Sequence, residues 1–401
     1  MTLAALICAY HDVDTPDANV VGGGLRATLP LAGRILVERQ ARLAAAAGAS
    51  SIILFVERMP SELQTAIERL RSEGLPVAFV RTPLEAAQAV QAEDRLLLIA
   101  DGFVGDEVYV NRLVAEGSGI LTVPDIGIEG PFERIDAHSR WAGLALVTGQ
   151  LLKQTAMMIK DWDLQSTLLR RAVQSGAREF PARELADAHL AIATRPGDLA
   201  EIERQIFEGS VARRDSWVSR YVLAPVEQIA TRMLMPTAVT SESLSIVAVL
   251  LNALAAFLFT RDWLWTGGIL MLLSTPLDDI GDRLATLRMQ SRVEGSWWSY
   301  LLPGTAAAAL LTFSYALGFQ FGWGCLTLAA ATLAFAAALW LEVGEHEVEG
   351  QIFLAERKGM TWLMLPFAVT GSWLGGLFGL TLYAAGSFFW AQHQVRRRIS
   401  R

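Results

Sequence analysis

The chain has 401 residues, of which 52% are hydrophobic and 19% charged, and a formal net charge of −7. That length predicts two or three domains rather than one core, and an acidic balance with no basic surplus excludes nucleic acid as a partner. With only two cysteines, Cys8 and Cys325, in different halves, neither a disulfide framework nor a cysteine metal site is available.

The first apolar run, LAALICA (3–9), has no basic residue before it and passes directly into YHDVDTPD. It reads as a strand, not a signal peptide. SIILFVE (51–57), LPVAFV (75–80) and RLLLIAD (95–101) are further apolar runs bounded by turn or charged residues. Between them, 35–49 and 61–74 carry apolar residues at helical spacing and finish at or beside a glycine, a common helix stop. Strand alternating with helix predicts an α/β head with a mostly parallel sheet, whose ligands bind beyond the carboxyl ends of the strands. Residues 198–238 have a helical, amphipathic pattern with Arg204, Arg213, Arg214, Arg220 and Arg232 interleaved among apolar residues. Two readings stand: a helix lying on the anionic cytoplasmic leaflet, or a solvated linker helix.

From there the pattern changes. No Asp, Glu, Lys or Arg occurs between Gly295 and Leu341 or between Gly359 and Val395, and each stretch exceeds the roughly 20 apolar residues that cross a bilayer. Nine of the twelve tryptophans follow Asp262, mostly at the ends of apolar runs, where amphipathic rings favour the headgroup level. Candidate spans are 243–260, 263–277, 297–317, 321–341 and 360–390, the last broken near Gly371–Gly376 into two; six spans is the reading, five the alternative. Under six, Arg283, Arg288, Arg292, Arg357, Lys358 and Arg396 to Arg398 share one side, with only Arg261 opposite. The positive-inside rule then places a multi-pass protein in the inner (cytoplasmic) membrane with both termini cytoplasmic. The expected division is a head over 1–200, an amphipathic linker over 201–238 and an all-α membrane domain over 239–401.

Within the head, GGGLRATLPLAGR (22–34) precedes a helix. Glycines let backbone N–H groups approach a phosphate, and an arginine beside them can neutralise its charge. The loop lacks the dinucleotide spacing. It resembles the nucleotidyltransferases that join a sugar or polyol phosphate to a nucleotide, whose signature reads G-x-G-[ST]-R-L-x-P-L followed by lysine and proline. Gly22, Gly24 and Arg26 match, Leu29-Pro30-Leu31 is slightly displaced, and Arg34 stands where the lysine is expected. The resemblance extends to Asp101-Gly102, at the end of a buried strand where that family holds a magnesium-binding aspartate. It also takes in Glu133-Arg134 and Ala142-Gly143, in the places of the family's E-K and A-G. It implies that Gly22, Gly24, Arg26, Arg34 and Asp101 bind a nucleotide, with Asp101 on the metal. The second metal ligand stays open among Asp136, Asp161 and Asp163.

In the membrane half, STPLDDIGDRLATLRMQSRVEGSWWSYLLPG (274–304) places three aspartates at the cytoplasmic end of the second candidate span. Charge there requires a partner. The stretch resembles the CDP-alcohol phosphotransferase family, with its motif D-x2-D-G-x2-A-R-x8-G-x3-D-x3-D. Registered on Asp278, Ala285 and Gly295, the Asp-Gly appears inverted as Gly281-Asp282, the arginine is Thr286, and the last two aspartates are Ser299 and Pro303. Pairing Asp279 with Asp282 restores the first two aspartates and puts Arg283 on the glycine. VSRYVLAPVEQIATRMLMPTAVTSESLSIVAVL (218–250) resembles the family's amphipathic lead-in and entry to its first span, with Ser241-Glu242 in place of Pro-Asn. A second acidic group, Glu342, Glu345, His346 and Glu349, shares a helical face. It is read as a solvated helix extension, or, with Glu294, as a replacement set of metal ligands.

The fusion resembles bifunctional proteins of phospholipid or polyol-phosphodiester synthesis. What that implies is catalytic Asp278, Asp279 and Asp282, metal (Mg²⁺ or Mn²⁺) on Asp278 and Asp282, and as partners a nucleotide or CDP-linked alcohol, the bilayer and a second copy of the chain. The missing last two aspartates predict that the family's own mechanism does not run here. The alternative is a non-catalytic membrane anchor or partner that kept the fold. A carrier is disfavoured, because no span has an Asp, Glu, Lys or Arg mid-membrane.

Overall fold

The computed structural model describes residues 2–14, 24–125, 131–159, 163–182, 189–212, 216–235, 237, 239–289, 298–345 and 350–399. Two compact units emerge, Met1–Glu208 with Arg288–Gln290 and Gly209–Leu287 with Ser291–Arg401.

The head begins with β1 (Leu3–Cys8), every residue of which is buried. A short ribbon of β2 (Pro30–Leu31) and β3 (Arg34–Ile35) leads into α1 (Leu36–Ala46), followed by β4 (Ser51–Phe55), α2 (Ser61–Ser72), β5 (Val77–Val80) and α3 (Pro83–Gln88). After α1 and α2 the chain turns at Gly48 and Gly74, both at positive φ, as the glycine stops predict. Then come β6 (Arg95–Ile99), β7 (Phe103–Gly105), α4 (Glu107–Glu116), β8 (Gly119–Pro124), β9 (Ser139–Thr148), α5 (Gly149–Met158), α6 (Leu164–Gln174), β10 (Glu179–Pro181) and β11 (Leu190–Ile192).

Seven of these strands form one sheet in the order β10-β8-β9-β6-β1-β4-β5. β1 sits near its centre, parallel to β4 and β6. β9 alone runs antiparallel to its neighbours, β6 and β8. A strand buried on both faces reads as a continuous apolar run, which is why the sequence of β1, β4 and β6 was so plain. Burying each large aliphatic side chain contributes about 1.5–3 kcal/mol. Because β9 is reversed, the segment that enters it arrives at the edge where β1 and β6 end. The four apolar runs of the head fall on β1, β4, β5 and β6.

The stretch predicted as one amphipathic helix is three: α7 (Pro196–Ala212), α8 (Trp217–Tyr221) and α9 (Ala224–Leu234). Pro225 near the start of α9 suits a first helical turn. In α9, Glu227 and Thr231 are buried whereas Val226, Ile229 and Met233 are exposed. Its buried face thus carries polar residues and its exposed face apolar ones, the reverse of a helix that presents its polar side to water.

Six helices follow: α10 (Ser241–Phe259), α11 (Leu264–Leu287), α12 (Trp298–Phe321), α13 (Gly324–Glu345), α14 (Arg357–Val369) and α15 (Trp373–Ile399). The break predicted near Gly371–Gly376 is the α14–α15 turn, with Gly371 at φ +70°. Among the described residues four helices are long and apolar enough to cross a membrane, within α10, α12, α13 and α15. On α10, Leu244, Ala248, Asn252, Ala255 and Phe259 are buried, and Ile246, Val247, Leu250, Leu254 and Phe257 are exposed. A helix that is apolar on its exposed side as well as its buried one has the pattern of a membrane span.

Hydrophobic burial gives little drive between helices in lipid, so packing and polar contacts join them. Ser274 Oγ donates to Asn252 Oδ1 at 2.9 Å, tying α11 to α10. Pro276 inside α11 removes the N–H that Leu272's carbonyl would accept. The Thr275 hydroxyl donates to that carbonyl instead, at 2.7 Å, and accepts the Trp362 indole N–H of α14 at 3.0 Å. The carbonyl that the proline would leave bare is thereby satisfied.

Candidate functional site

In the head, β1 and β6 are parallel neighbours, so the residues after them emerge side by side. Asp101 follows β6 and is 2% exposed. Its Oδ2 accepts the backbone N–H groups of Tyr10 (2.9 Å) and His11 (2.7 Å), and its own N–H donates to Gln165 Oε1 at 3.0 Å. Oδ1 is buried without a hydrogen-bond partner. The next residue, Gly102, has φ +79°, and a Cβ there would lie 2.3 Å from the Ala193 carbonyl oxygen.

A second carboxylate stands close by. Asp163 caps α6 by accepting from Ser166 N at 2.9 Å, and it accepts the Tyr10 hydroxyl. Ser166 Oγ donates to Glu133 Oε2 at 3.0 Å. Burial pushes the Tyr10 phenol far up, with Asp163 adding to the shift. The hydrogen bond with Asp101 holds His11 above its ordinary value, and burial raises Glu133. Burial likewise raises the Cys8 thiol, which favours its protonated form.

The glycine-rich loop comes back over this edge. Gly22 lies outside the described residues. Gly24 accepts from Val13 N at 2.9 Å, and Arg26 N donates to the His11 carbonyl at 2.9 Å. The Arg26 guanidinium reaches the Asp12 carbonyl (3.1 Å) and Asp14 (2.8 Å). Asp101, Gly24 and Arg26 therefore converge. Arg34 does not join them: its charged neighbours are Glu38, Arg69, Arg42 and Glu73. Of the three candidates for the second metal ligand, Asp163 is the one tied to Tyr10. Asp136 is spent on the backbone of His138 and Ser139, and Asp161 lies outside the described residues. Tyr10, His11, Gln165 and Ser166 were not anticipated; polar residues directly after a buried strand were the available signal.

The bare Oδ1 of Asp101 fits a cation. Among the described residues no group of three or more His, Cys, Asp or Glu could hold one. Magnesium bound there would take one or two carboxylates and complete its shell from phosphate and water.

In the second unit, Asp278, Asp279 and Asp282 lie on α11. Arg357 Nη2 donates to Asp278 Oδ2 at 3.2 Å. Asp279 accepts both Lys358 Nζ and Ser219 Oγ. Arg283 Nη2 is 2.6 Å from Glu227 Oε2 on α9, and Glu227 is fully buried. Burial and the neighbouring Asp279 carboxylate push Glu227 up to about 7. Gly281, at one of the family's aspartate positions, faces α10: a Cβ there would sit 3.3 Å from Ser241 Oγ and 3.6 Å from Leu244 Cβ. Pro303 lies inside α12; Glu294, His346 and Glu349 lie outside the described residues. Arg357 also borders an apolar cavity of about 1100 Å³ whose lining includes Trp265, Phe313, Met364 and Trp373. Arg357, Lys358, Glu227 and Ser219 escaped the sequence reading, which had used the first two only as loop charges.

No family model matches the chain. A curated protein of Rubrobacter xylanophilus, described as a bifunctional IPC transferase and DIPP synthase, is 26% identical over 337 residues, spanning 77% of this chain and 76% of that one. Among solved structures, a nucleotidyl transferase from Methanothermobacter is 17% identical, with a TM-score of 0.37, over 52% of this chain and 99% of its own. A Bacillus anthracis protein described as a glucose-1-phosphate thymidylyltransferase is 9% identical, with a TM-score of 0.39, over 51% and 94%. The similarity to the bifunctional relative runs through both halves of the chain, which folds as an α/β head followed by a helical half with, among the described residues, four helices long and apolar enough to cross a membrane.

Proposed function

We propose that this is a membrane-bound protein of the fused transferase type whose head binds a metal–nucleotide complex, and whose membrane domain does not run the family's two-metal transfer. The observation that carries the first part is Asp101: a buried carboxylate at the strand-end edge, fixed by two backbone N–H groups and with one oxygen left for a cation. Asp101 and Asp163 would hold Mg²⁺ or Mn²⁺, which polarises phosphoryl oxygens when bound. Arg26 and the backbone around Gly24 sit where phosphates would lie, and Tyr10 and His11 fix Asp101 from the main chain. The head's resemblance to nucleotidyltransferases that join a sugar or polyol phosphate to a nucleotide makes such a phosphate its proposed acceptor.

For the membrane domain, a two-metal clamp needs carboxylates on both sides of the transferring group. Ser299 and Pro303 supply none, and the missing base alone costs about 10² to 10⁴ in rate. The domain then anchors the head at the inner face of the cytoplasmic membrane, with both termini on that side. A second reading, in which the head too is a retained fold, is separated by one experiment. Calorimetry on the full chain in lipid nanodiscs, with CTP and other nucleotides plus Mg²⁺, should show binding that Asp101→Asn abolishes. Binding of none of them favours the second reading.

A further inference from the structure

The carboxylates that a divalent metal would need in the membrane domain already have partners of opposite charge. Asp278 holds Arg357, and Asp279 holds Lys358 and Ser219. Both ion pairs are shielded, with side chains 12–18% exposed. Arg357 and Lys358 occupy the first turn of α14, the end where the helix dipole disfavours cations. The Asp278 and Asp279 carboxylates of α11 offset that unfavourable placement. A divalent ion placed between the same aspartates would meet those two cations as well. Two neighbouring positions add no free donor: Gly281 has α10 against it, and Glu227 is engaged by Arg283.

We propose that Arg357 and Lys358 stand in for the family's metal ions, so that the acidic edge of α11 is a closed ion-pair clasp to α14 that takes neither Mg²⁺ nor Mn²⁺. The inference rests on the reading of the membrane domain given above and adds the residues that exclude the metal. The clasp makes two claims: the wild-type aspartates bind no metal, and removing Lys358 both weakens the domain and uncovers a metal site.

The test uses the full chain in nanodiscs, carrying Asp101→Asn to silence the head, with Mn²⁺ binding followed by paramagnetic resonance and stability by thermal unfolding. The expected result is no bound Mn²⁺ that Asp278→Asn or Asp279→Asn removes. Lys358→Met should lower Tm, raise Mn²⁺ affinity at least tenfold, and lose both effects when combined with Asp279→Asn. Mn²⁺ bound at a site that Asp278→Asn and Asp279→Asn abolish would overturn the clasp, as would a Lys358→Met protein unchanged in both Tm and Mn²⁺ binding. Should Lys358→Met fail to fold, the Mn²⁺ titration of the Asp101→Asn protein decides alone. Release of CMP from a CDP-linked alcohol, lost in Asp278→Asn, would overturn the underlying reading. Mn²⁺ at these aspartates without turnover would overturn the clasp only.

Discussion

Gly102 holds the turn between Asp101 and β7 in a conformation that side chains resist, with the Ala193 carbonyl where a Cβ would go. Gly102→Ala is expected to cost about 1–3 kcal/mol in backbone strain alone and to weaken nucleotide binding by shifting Asp101; thermal unfolding and calorimetry check the two parts. Glu133 gives a pH signature. Its carboxyl is raised by burial, so its contribution to stability is complete below the unfolded-state value and is lost as pH rises through the folded one. Glu133→Gln should flatten that part of the stability–pH curve, and an unchanged curve would count against the buried placement. Asp101 was legible in the sequence because a buried strand ending in Asp-Gly is a readable pattern. What fixes Asp101 was not, because Tyr10 and His11 act through main-chain N–H groups that every residue other than proline has.

Among the elements, four strands of the head, β1, β4, β5 and β6, were legible from their apolar runs, and α1 and α2 from their spacing and glycine stops. The direction of β9 was not, since pairing partners are chosen by topology and not by local pattern. The proline in α11 is a similar case: Pro276 predicts a fault in the helix, but only the packed bundle shows Thr275 repairing it. Thr275→Val keeps the shape and removes both bonds, leaving the Leu272 carbonyl and the Trp362 N–H without partners. Each such buried group costs about 1–3 kcal/mol. A lower unfolding temperature in nanodiscs is expected, and one within a degree of wild type would show that water or lipid satisfies both.

For the molecule as a whole, the proposed topology, drawn from the charge pattern of the loops, has both ends on the cytoplasmic side. Reporter fusions at residues 1 and 401 should return the same cytoplasmic signal; opposite signals would mean an odd number of crossings. The division into a water-facing and a lipid-facing half was legible from charge-free stretches alone. The ion pairs were not, because Asp278 and Arg357, and likewise Asp279 and Lys358, are 79 residues apart.

That separation also bears on how the protein is made. When α11 leaves the ribosome its aspartates have no cationic partner from α14, which has yet to be synthesised. Their charges are shielded in ion pairs only once α14 is present. Among the six helices, α11 and α14 are the two outside the set that is long and apolar enough to cross a membrane, and they are the two joined by the clasp. Biogenesis should therefore have a delay built into it, with α11 waiting at the bilayer surface until α14 arrives and the pair entering together. Nascent chains arrested before residue 356 should leave cysteines placed near Asp278 open to a water-soluble thiol reagent, and chains released beyond α14 should protect them.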